Sequence, residues 1–429
     1  MEIFDIVLDV INWIMIGITT LGFGFQLVYV ICSFMKEKHF KVSEKKNRIA
    51  IVICGRNEES VISNTVKTIL EKQNYPKDKY DVFVVAHNCT DATYIEAKNA
   101  GAYAFEFNDN DPKHAMVSYP LCFIVNKLIT DYKGKYDLMI RFDADNLPCD
   151  DYLSRMNDAY EEGVKIARPY EFSKNATQNS WTKVSAAYYM RDSRLPSNFR
   201  ENAHLSSMLT GAGMMVAMDV LEAHGWDAMY MSEDAEYTLN RMMDGYKVHY
   251  VCDAIVYEDQ PSTFKDTFNR NKRMGHGLTR LFFKKGFKFF GHAFKQKDWS
   301  FIDLFMQLFF VPVGVLCCLW FPAYYIYRFI VTILASVGVP MWISQEAGQK
   351  FLAETIPLVI IIIVVFYVVC ALQTFLAVKF SQKHVKLDSL RGYWGGIFLN
   401  PVFMVVWAVA ITFGALGKGK WKAIKRNAK

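Results

Sequence analysis

Residues 137–145 read Asp137-Leu138-Met139-Ile140-Arg141-Phe142-Asp143-Ala144-Asp145, a short apolar run that ends abruptly in two acids. Three other stretches have the same character: 48–54 (RIAIVIC), 81–86 (DVFVVA) and 102–107 (AYAFEF). Runs this short and this rich in β-branched and aromatic residues predict buried strands. Between the first two, Ile62, Val66, Ile69 and Leu70 fall at helical spacing. Strands alternating with helices predict an α/β fold with a mostly parallel central sheet covered on both faces. In open sheets of this kind ligands bind beyond the carboxyl ends of the strands, so the loops after Cys54, Ala86 and Phe142 should converge on one site. Those loops carry Arg56, Glu58, His87, Asp91, Asp143 and Asp145.

The rest of the chain asks for a second environment. Of 429 residues 52% are hydrophobic, with 33 Phe and 23 Tyr, more than a soluble protein usually holds. Between Ile6 and Phe34 the one charge is Asp9, and Lys36, Lys38, Lys41, Lys45, Lys46 and Arg48 follow at once. A cleaved signal peptide has the reverse order, so residues 1–35 read as a transmembrane anchor with its C-terminal end inside. Residues 36–263 are mixed in polarity and form the catalytic domain, 264–300 an amphipathic interfacial segment, and 301–429 a transmembrane region with a basic cytoplasmic tail. Its apolar blocks are 302–340, 356–378 and 397–416. Lys379, Lys383, His384, Lys386 and Arg391 separate the last two, and Lys418, Lys420, Lys422, Lys425 and Arg426 close the chain. Both basic stretches favour the cytoplasm, which needs an even number of crossings after residue 300. Either 302–340 is a hairpin turning near Pro322, or one block does not span. The net charge of +6 sits beside apolar segments, where anionic lipid accounts for it better than nucleic acid does. Nine cysteines without CxxC or ligand spacing read as small buried hydrophobes in a reducing compartment.

Several constellations carry chemistry. Asp143 and Asp145, two apart on an extended segment, point the same way and can hold a hard cation against a diphosphate. Ser232-Glu233-Asp234 opens a helix and has two readings: Ser232 caps while the acids complement the dipole, or one carboxylate serves as a general base. Thr210-Gly211-Ala212-Gly213 lacks a full phosphate-loop pattern and reads as a tight turn that lets a ligand approach the backbone. Arg270, Lys272 and Arg273 precede Gly275-His276-Gly277. They fit a basic helix resting on lipid headgroups, or an arginine beside flexible glycines that closes over a diphosphate. His276 has no partner at ligand spacing and reads as a loop residue.

In chain order these pieces resemble the membrane-integrated, inverting family 2 glycosyltransferases, which include hyaluronan, chitin, cellulose and poly-N-acetylglucosamine synthases. The resemblance runs from Ile51-Val52-Ile53-Cys54-Gly55-Arg56-Asn57-Glu58-Glu59 through Asp143-Ala144-Asp145, Gly211-Ala212-Gly213-Met214, Ser232-Glu233-Asp234 and Tyr257-Glu258-Asp259-Gln260-Pro261 to Arg273. It implies a GT-A-like nucleotide-sugar-binding domain and, residue by residue, a site. Arg56, Glu58, His87 and Asp91 would surround the nucleotide, a UDP-sugar in preference to a GDP-sugar. Asp143 would approach ribose and diphosphate, Asp143 and Asp145 would hold Mg²⁺ or Mn²⁺, Asp234 beside Glu233 would be the base, and Arg273 would contact the diphosphate. Two departures stand out. His87 occupies a position where such enzymes carry Asp, and Arg270-Asn271-Lys272-Arg273-Met274 replaces Gln-x-x-Arg-Trp, which argues against processive chain growth.

The expected function is transfer of a sugar to a polysaccharide or lipid-linked acceptor at the inner face of the plasma membrane. A polyprenyl-phosphate monosaccharide transferase is the first alternative, and a transporter or non-catalytic membrane scaffold the second.

Overall fold

The computed structural model describes residues 2–109, 111, 114–337, 339, 345–382, 385 and 390–417. Helix α1 (Glu2–Cys32) precedes a run in which strand and helix alternate: β1 (Ile49–Gly55), α2 (Ile62–Lys72), β2 (Tyr80–His87), α3 (Thr93–Asn99), β3 (Tyr103–Phe107), α4 (Ser118–Thr130) and β4 (Leu138–Phe142). Then come β5 (Leu147–Pro148), α5 (Tyr152–Glu161), β6 (Ile166–Ser173), α6 (Ser180–Asp192), α7 (Asn198–Asn202), β7 (Met214–Ala217), α8 (Met218–His224), α9 (Glu233–Met243) and β8 (Val248–Glu258). The sheet order is β3-β2-β1-β4-β7-β6-β8-β5.

β1 sits at the centre of the first half, in parallel register with Tyr80 of β2 and Leu138 of β4 at Ile49. All seven of its residues are buried, as a parallel strand covered on both faces requires. Ile51 and Ile53 pack with Ile62 and Val66 of α2, while Ala50 and Val52 pack with Leu121 and Ile124 of α4. The sheet is mixed, although most strand pairings are parallel. β7 lies antiparallel between β4 and β6, with Arg141 opposite Met214. That insertion brings the start of β7, and the glycine turn before it, to the carboxyl end of β4.

The chain continues through α10 (Phe264–Leu281), α11 (Phe287–Gln296), α12 (Trp299–Ser336), α13 (Gln345–Ser381) and α14 (Trp394–Leu416). α1, α12, α13 and α14 are long and apolar enough to cross a membrane. α12 is one uninterrupted helix through Pro312 and Pro322, so the hairpin expected near Pro322 does not form. A proline removes one backbone hydrogen bond, but an apolar surrounding leaves no partner for an opened turn, and the helix continues. α12 runs antiparallel to α1: the Tyr324 hydroxyl donates to Asp9 at 2.7 Å and the Trp320 indole to Asn12 at 3.3 Å. Lys383, His384, Lys386 and the basic tail 418–429, on which part of the topology expectation rests, lie outside the described residues.

The pair Gly275 and Gly277 is not a flexible loop but lies inside α10. A Cβ at Gly275 would come within 2.6 Å of the Ile411 backbone in α14, and one at Gly414 would strike the Lys272 carbonyl oxygen. Here two helices touch at backbone distance, which small residues permit. His276 is buried in the same contact, its Nδ1 3.2 Å from the Gly414 carbonyl oxygen, and is no metal ligand. Gly275→Leu should therefore push α14 away from α10 at a cost of about 1–3 kcal/mol, read as a lower unfolding midpoint in detergent. Gly291→Leu, where nothing lies within 4 Å of the new Cβ, should leave that midpoint nearly unchanged.

Candidate active site

The carboxyl ends of β1, β2 and β4 open on a cavity of about 1220 Å³ that extends between the long apolar helices. Of the residues singled out in the sequence, Arg56, Glu58, His87, Asp143, Glu233, Asp234 and Arg273 line it. Asp91 and Asp145 are not among its lining residues.

Asp91 laces the first two loops together. Its carboxylate accepts from the Thr93 hydroxyl at 2.6 Å and from the Glu59 amide at 3.2 Å, while the Glu59 carboxylate accepts from the Ala92 amide at 2.9 Å. Burial works to raise Asp91, yet these hydrogen bonds hold it below the ordinary carboxylate range. Asn57 takes a left-handed φ of 58° so that its Oδ1 meets the Thr90 amide at 2.9 Å. The loops thus present Arg56 and Glu58 to the cavity from a fixed frame. His87 is buried at the end of β2, and burial, with Arg56 nearby, lowers its pKa. It faces the cavity as a neutral imidazole, able to pair with a base edge but without the charge of the Asp expected there.

At the centre is Arg141, which the sequence reading passed over as part of a strand. It is buried in β4, donating from Nη1 to Glu233 at 2.9 Å and from Nη2 to Asp143 at 3.2 Å. The glycine turn fits around it: a Cβ at Gly211 would lie 3.6 Å from Nη2, and Gly213 takes a φ of 70°. Ser232 makes no capping hydrogen bond, contrary to one reading of the sequence; its hydroxyl packs under Gly277 of α10, where a Cβ would collide with it. This close approach presses the start of α9 against α10 and so brings Asp234 and Arg273 to one cavity.

The two neighbouring acids divide their roles. Burial pushes Glu233 up to about 7 despite its pairing with Arg141. Burial also raises Asp234, whose carboxylate accepts from the Ala235 amide at 2.7 Å and has no cation within 4 Å among the described residues. Arg273 faces the same cavity with no carboxylate within 4 Å among those residues, and burial holds its pKa down. A half-desolvated guanidinium without a counter-charge is a place for an anion.

Asp143 keeps about 40% of its side chain exposed to the cavity, and Asp145 lies buried two residues on, beside the Asn146 amide at 3.4 Å. Two hard carboxylates with no thiol between them fit Mg²⁺ or Mn²⁺ shared with diphosphate oxygens. A separate group of possible ligands, His39, Cys252 and Asp253, lies off the cavity. There His39 pairs with Asp253 at 2.7 Å, and burial raises the Cys252 thiol. Glu258, at the end of β8, also lines the cavity and is pushed up to about 7 by burial, against the pull of Arg270.

A mixed, mostly parallel sheet whose strand ends gather this set is GT-A-like, and the family description "Glycosyltransferase like family 2" matches residues 47–277. The chain belongs to that family. It is 23% identical over 287 residues to Bacillus subtilis YdaM, named a probable glycosyltransferase, covering 63% of this chain and 64% of that protein. To a beta-monoglucosyldiacylglycerol synthase of Nostoc it is 22% identical over 280 residues, covering 63% of this chain and 58% of the other. The chain thus spans less than two thirds of the length of either relative. In structure it is similar to a mannosyltransferase from Pyrobaculum calidifontis solved with GDP-Man and Mn²⁺, with a TM-score of 0.52 and 14% identity over 90% of this chain and 97% of that one.

Arg141→Met should leave Glu233 and Asp143 without their shared counter-charge and cost about 3–5 kcal/mol of stability. The double variant Arg141→Met/Glu233→Gln should cost less than the sum of the single variants, because the more deeply buried of the two orphaned acids is gone. Denaturant unfolding of the three proteins in detergent measures both effects.

Proposed function

We propose that this protein is an inverting glycosyltransferase that moves a sugar from a nucleotide-sugar donor to a polysaccharide or lipid-linked acceptor at the cytoplasmic face of the plasma membrane. What carries the reading is one cavity that, among the described residues, holds a carboxylate with no cation within 4 Å, Asp234, and a guanidinium with no carboxylate within 4 Å, Arg273. Asp234 takes the proton of the acceptor hydroxyl as its oxygen attacks the anomeric carbon. The bond from that carbon to the phosphate oxygen breaks, its electron pair leaves with the nucleoside diphosphate, and Arg273 stabilises the charge that develops there. Attack from the face opposite the leaving group inverts the anomeric centre. Asp143 and Asp145 would hold the divalent cation, which when bound neutralises the diphosphate. Glu233, committed to Arg141, positions its neighbour rather than the acceptor. A preference for UDP over GDP has no support in the site, where a neutral His87 stands in place of the Asp such enzymes carry, and the fold neighbour was solved with GDP-Man. Against a transporter or scaffold stands the clustering of unmatched charges in one cavity, and against a lipid-phosphate acceptor the retention of a base.

A reading of membrane topology follows from α14. Its 23 residues make a helix roughly 34 Å long. Yet both its ends abut catalytic-domain helices: a Cβ at Gly396 would lie 2.8 Å from the Lys183 carbonyl oxygen of α6, and Gly414 meets Lys272 of α10. A helix that crossed the bilayer would carry one end about 30 Å away from that domain. α14 then lies along the inner face, α1, α12 and α13 make three crossings, and the parity conflict in the basic residues disappears, with both basic stretches inside.

Three outcomes check these readings. Asp234→Asn should lower transfer at saturating donor about a hundred- to ten-thousand-fold, with nucleoside diphosphate affinity retained by calorimetry; near-normal transfer would remove Asp234 from the role of base. EDTA should abolish turnover, and a reporter fused after Lys429 should read as cytoplasmic; an external signal would make α14 a fourth crossing.

A further inference from the structure

The cavity does not stop at the catalytic domain. Beyond Asp303 it continues along α12 as far as Cys317 and is walled by α1, α13 and α14 as well. Fourteen residues of helix are roughly 21 Å, more than half of a hydrocarbon core about 30 Å thick. α1 packs along this stretch: Gly22 lies against the Phe310 ring, and the Thr19 hydroxyl is 3.3 Å from Cys317 Sγ. Thr19 is exposed and also lines the cavity, which puts an opening beside α1 there.

The lining changes character along this path. Near the strand ends it is charged. Along the membrane helices it is formed by residues such as Phe310, Val313, Gly314, Phe366, Met404 and Trp407, with no charged side chain among those from α12 beyond Asp303, α13 and α14. A sugar chain buried here would leave most of its hydroxyls without partners, at about 1–3 kcal/mol each. A hydrocarbon chain would gain about 0.8 kcal/mol per buried methylene if it came from water, and from the bilayer it would enter at little cost. Where the two linings meet, Arg191 of α6 donates to Gln373 of α13 at 3.3 Å and has no carboxylate within 4 Å among the described residues. It stands at head-group level.

We propose that the acceptor is an amphipathic membrane lipid whose tail occupies the apolar part of the cavity between α1, α12, α13 and α14, entering sideways past Thr19. Its head carries the free hydroxyl that meets Asp234, and Arg191 and Gln373 hold the polar atoms beside that hydroxyl. This rests on the transferase reading above and narrows its acceptor to a lipid. A growing polysaccharide has no path here.

Gly314 provides the test, because it lines the cavity and a Cβ there meets nothing within 4 Å. Gly314→Leu sends its side chain into the tail site from a Cβ that meets nothing within 4 Å. Gly17→Leu, equally open but away from the cavity, is the control. The full chain in detergent is given radiolabelled UDP- and GDP-sugars with Mn²⁺ and one of three acceptors: diacylglycerol, a polyprenyl-diphosphate-linked sugar, or soluble oligosaccharides. Label should appear in the organic phase with one of the two lipids, and which of them identifies the head group. Gly314→Leu should raise the KM for that lipid at least tenfold, leaving nucleoside diphosphate affinity by calorimetry and the unfolding midpoint unchanged, while Gly17→Leu behaves as the parent. Label entering soluble oligosaccharide or insoluble polymer, or an unchanged lipid KM in Gly314→Leu, overturns the lipid acceptor and leaves the transferase reading intact. Failure to bind any nucleoside diphosphate, with none released in any arm, overturns the transferase reading and this inference with it.

Discussion

A guanidinium buried in the middle of a sheet tolerates few surroundings, and Arg141 sets those of this site. It lies in β4 between β1 and β7, where leaving it without counter-charge would cost several kcal/mol. Asp143 comes to it from the same strand and Glu233 from ninety residues further along, so the exit of β4 and the first turn of α9 are tied to one point. The backbone at Gly211 closes over the third side. Once Glu233 is taken up in this way, Asp234 is the neighbouring carboxylate left facing the cavity. The pairing thus decides which of two adjacent acids is available to a substrate.

The same economy of contacts joins the catalytic domain to the membrane helices. Glycines mark several of the junctions: Gly277 against Ser232, Gly275 and Gly414 where α10 meets α14, and Gly396 against α6. At each of them backbone approaches backbone or a short side chain, which lets a helix lie flat and close. Through these contacts one continuous wall runs from the charged part of the cavity, at Arg273, to its apolar part, at Met404 and Trp407. Donor and acceptor chemistry can then share a single space that is polar at one end and oily at the other.

Much of this was legible in the residues. Short, mostly apolar runs located β1 to β4, but not β6, where Arg168, Pro169 and Glu171 interrupt the pattern, nor β7, which has only four residues. Arg141 carried a signal that went unread: a charged residue flanked by Ile140 and Phe142 inside a strand otherwise wholly buried needs partners. Gly275 and Gly277 suggested a hinge because composition reports conformational freedom and says nothing of what lies opposite. Pro322 suggested a turn for a similar reason.

By itself the sequence determined the strand-and-helix alternation, the set of acids and arginines at the strand ends, and the apolar lengths that suit a membrane. These are local properties, written in period and composition. Only the tertiary structure decided that Glu233 is bound to Arg141 while Asp234 has no cation within 4 Å among the described residues, that Asp91 braces loops instead of lining the cavity, and that α14 lies against α6 and α10. Those outcomes depend on which groups from distant parts of the chain neutralise one another or touch. Pairing of buried charge and contact between backbones are properties of distance in space, which sequence spacing does not encode.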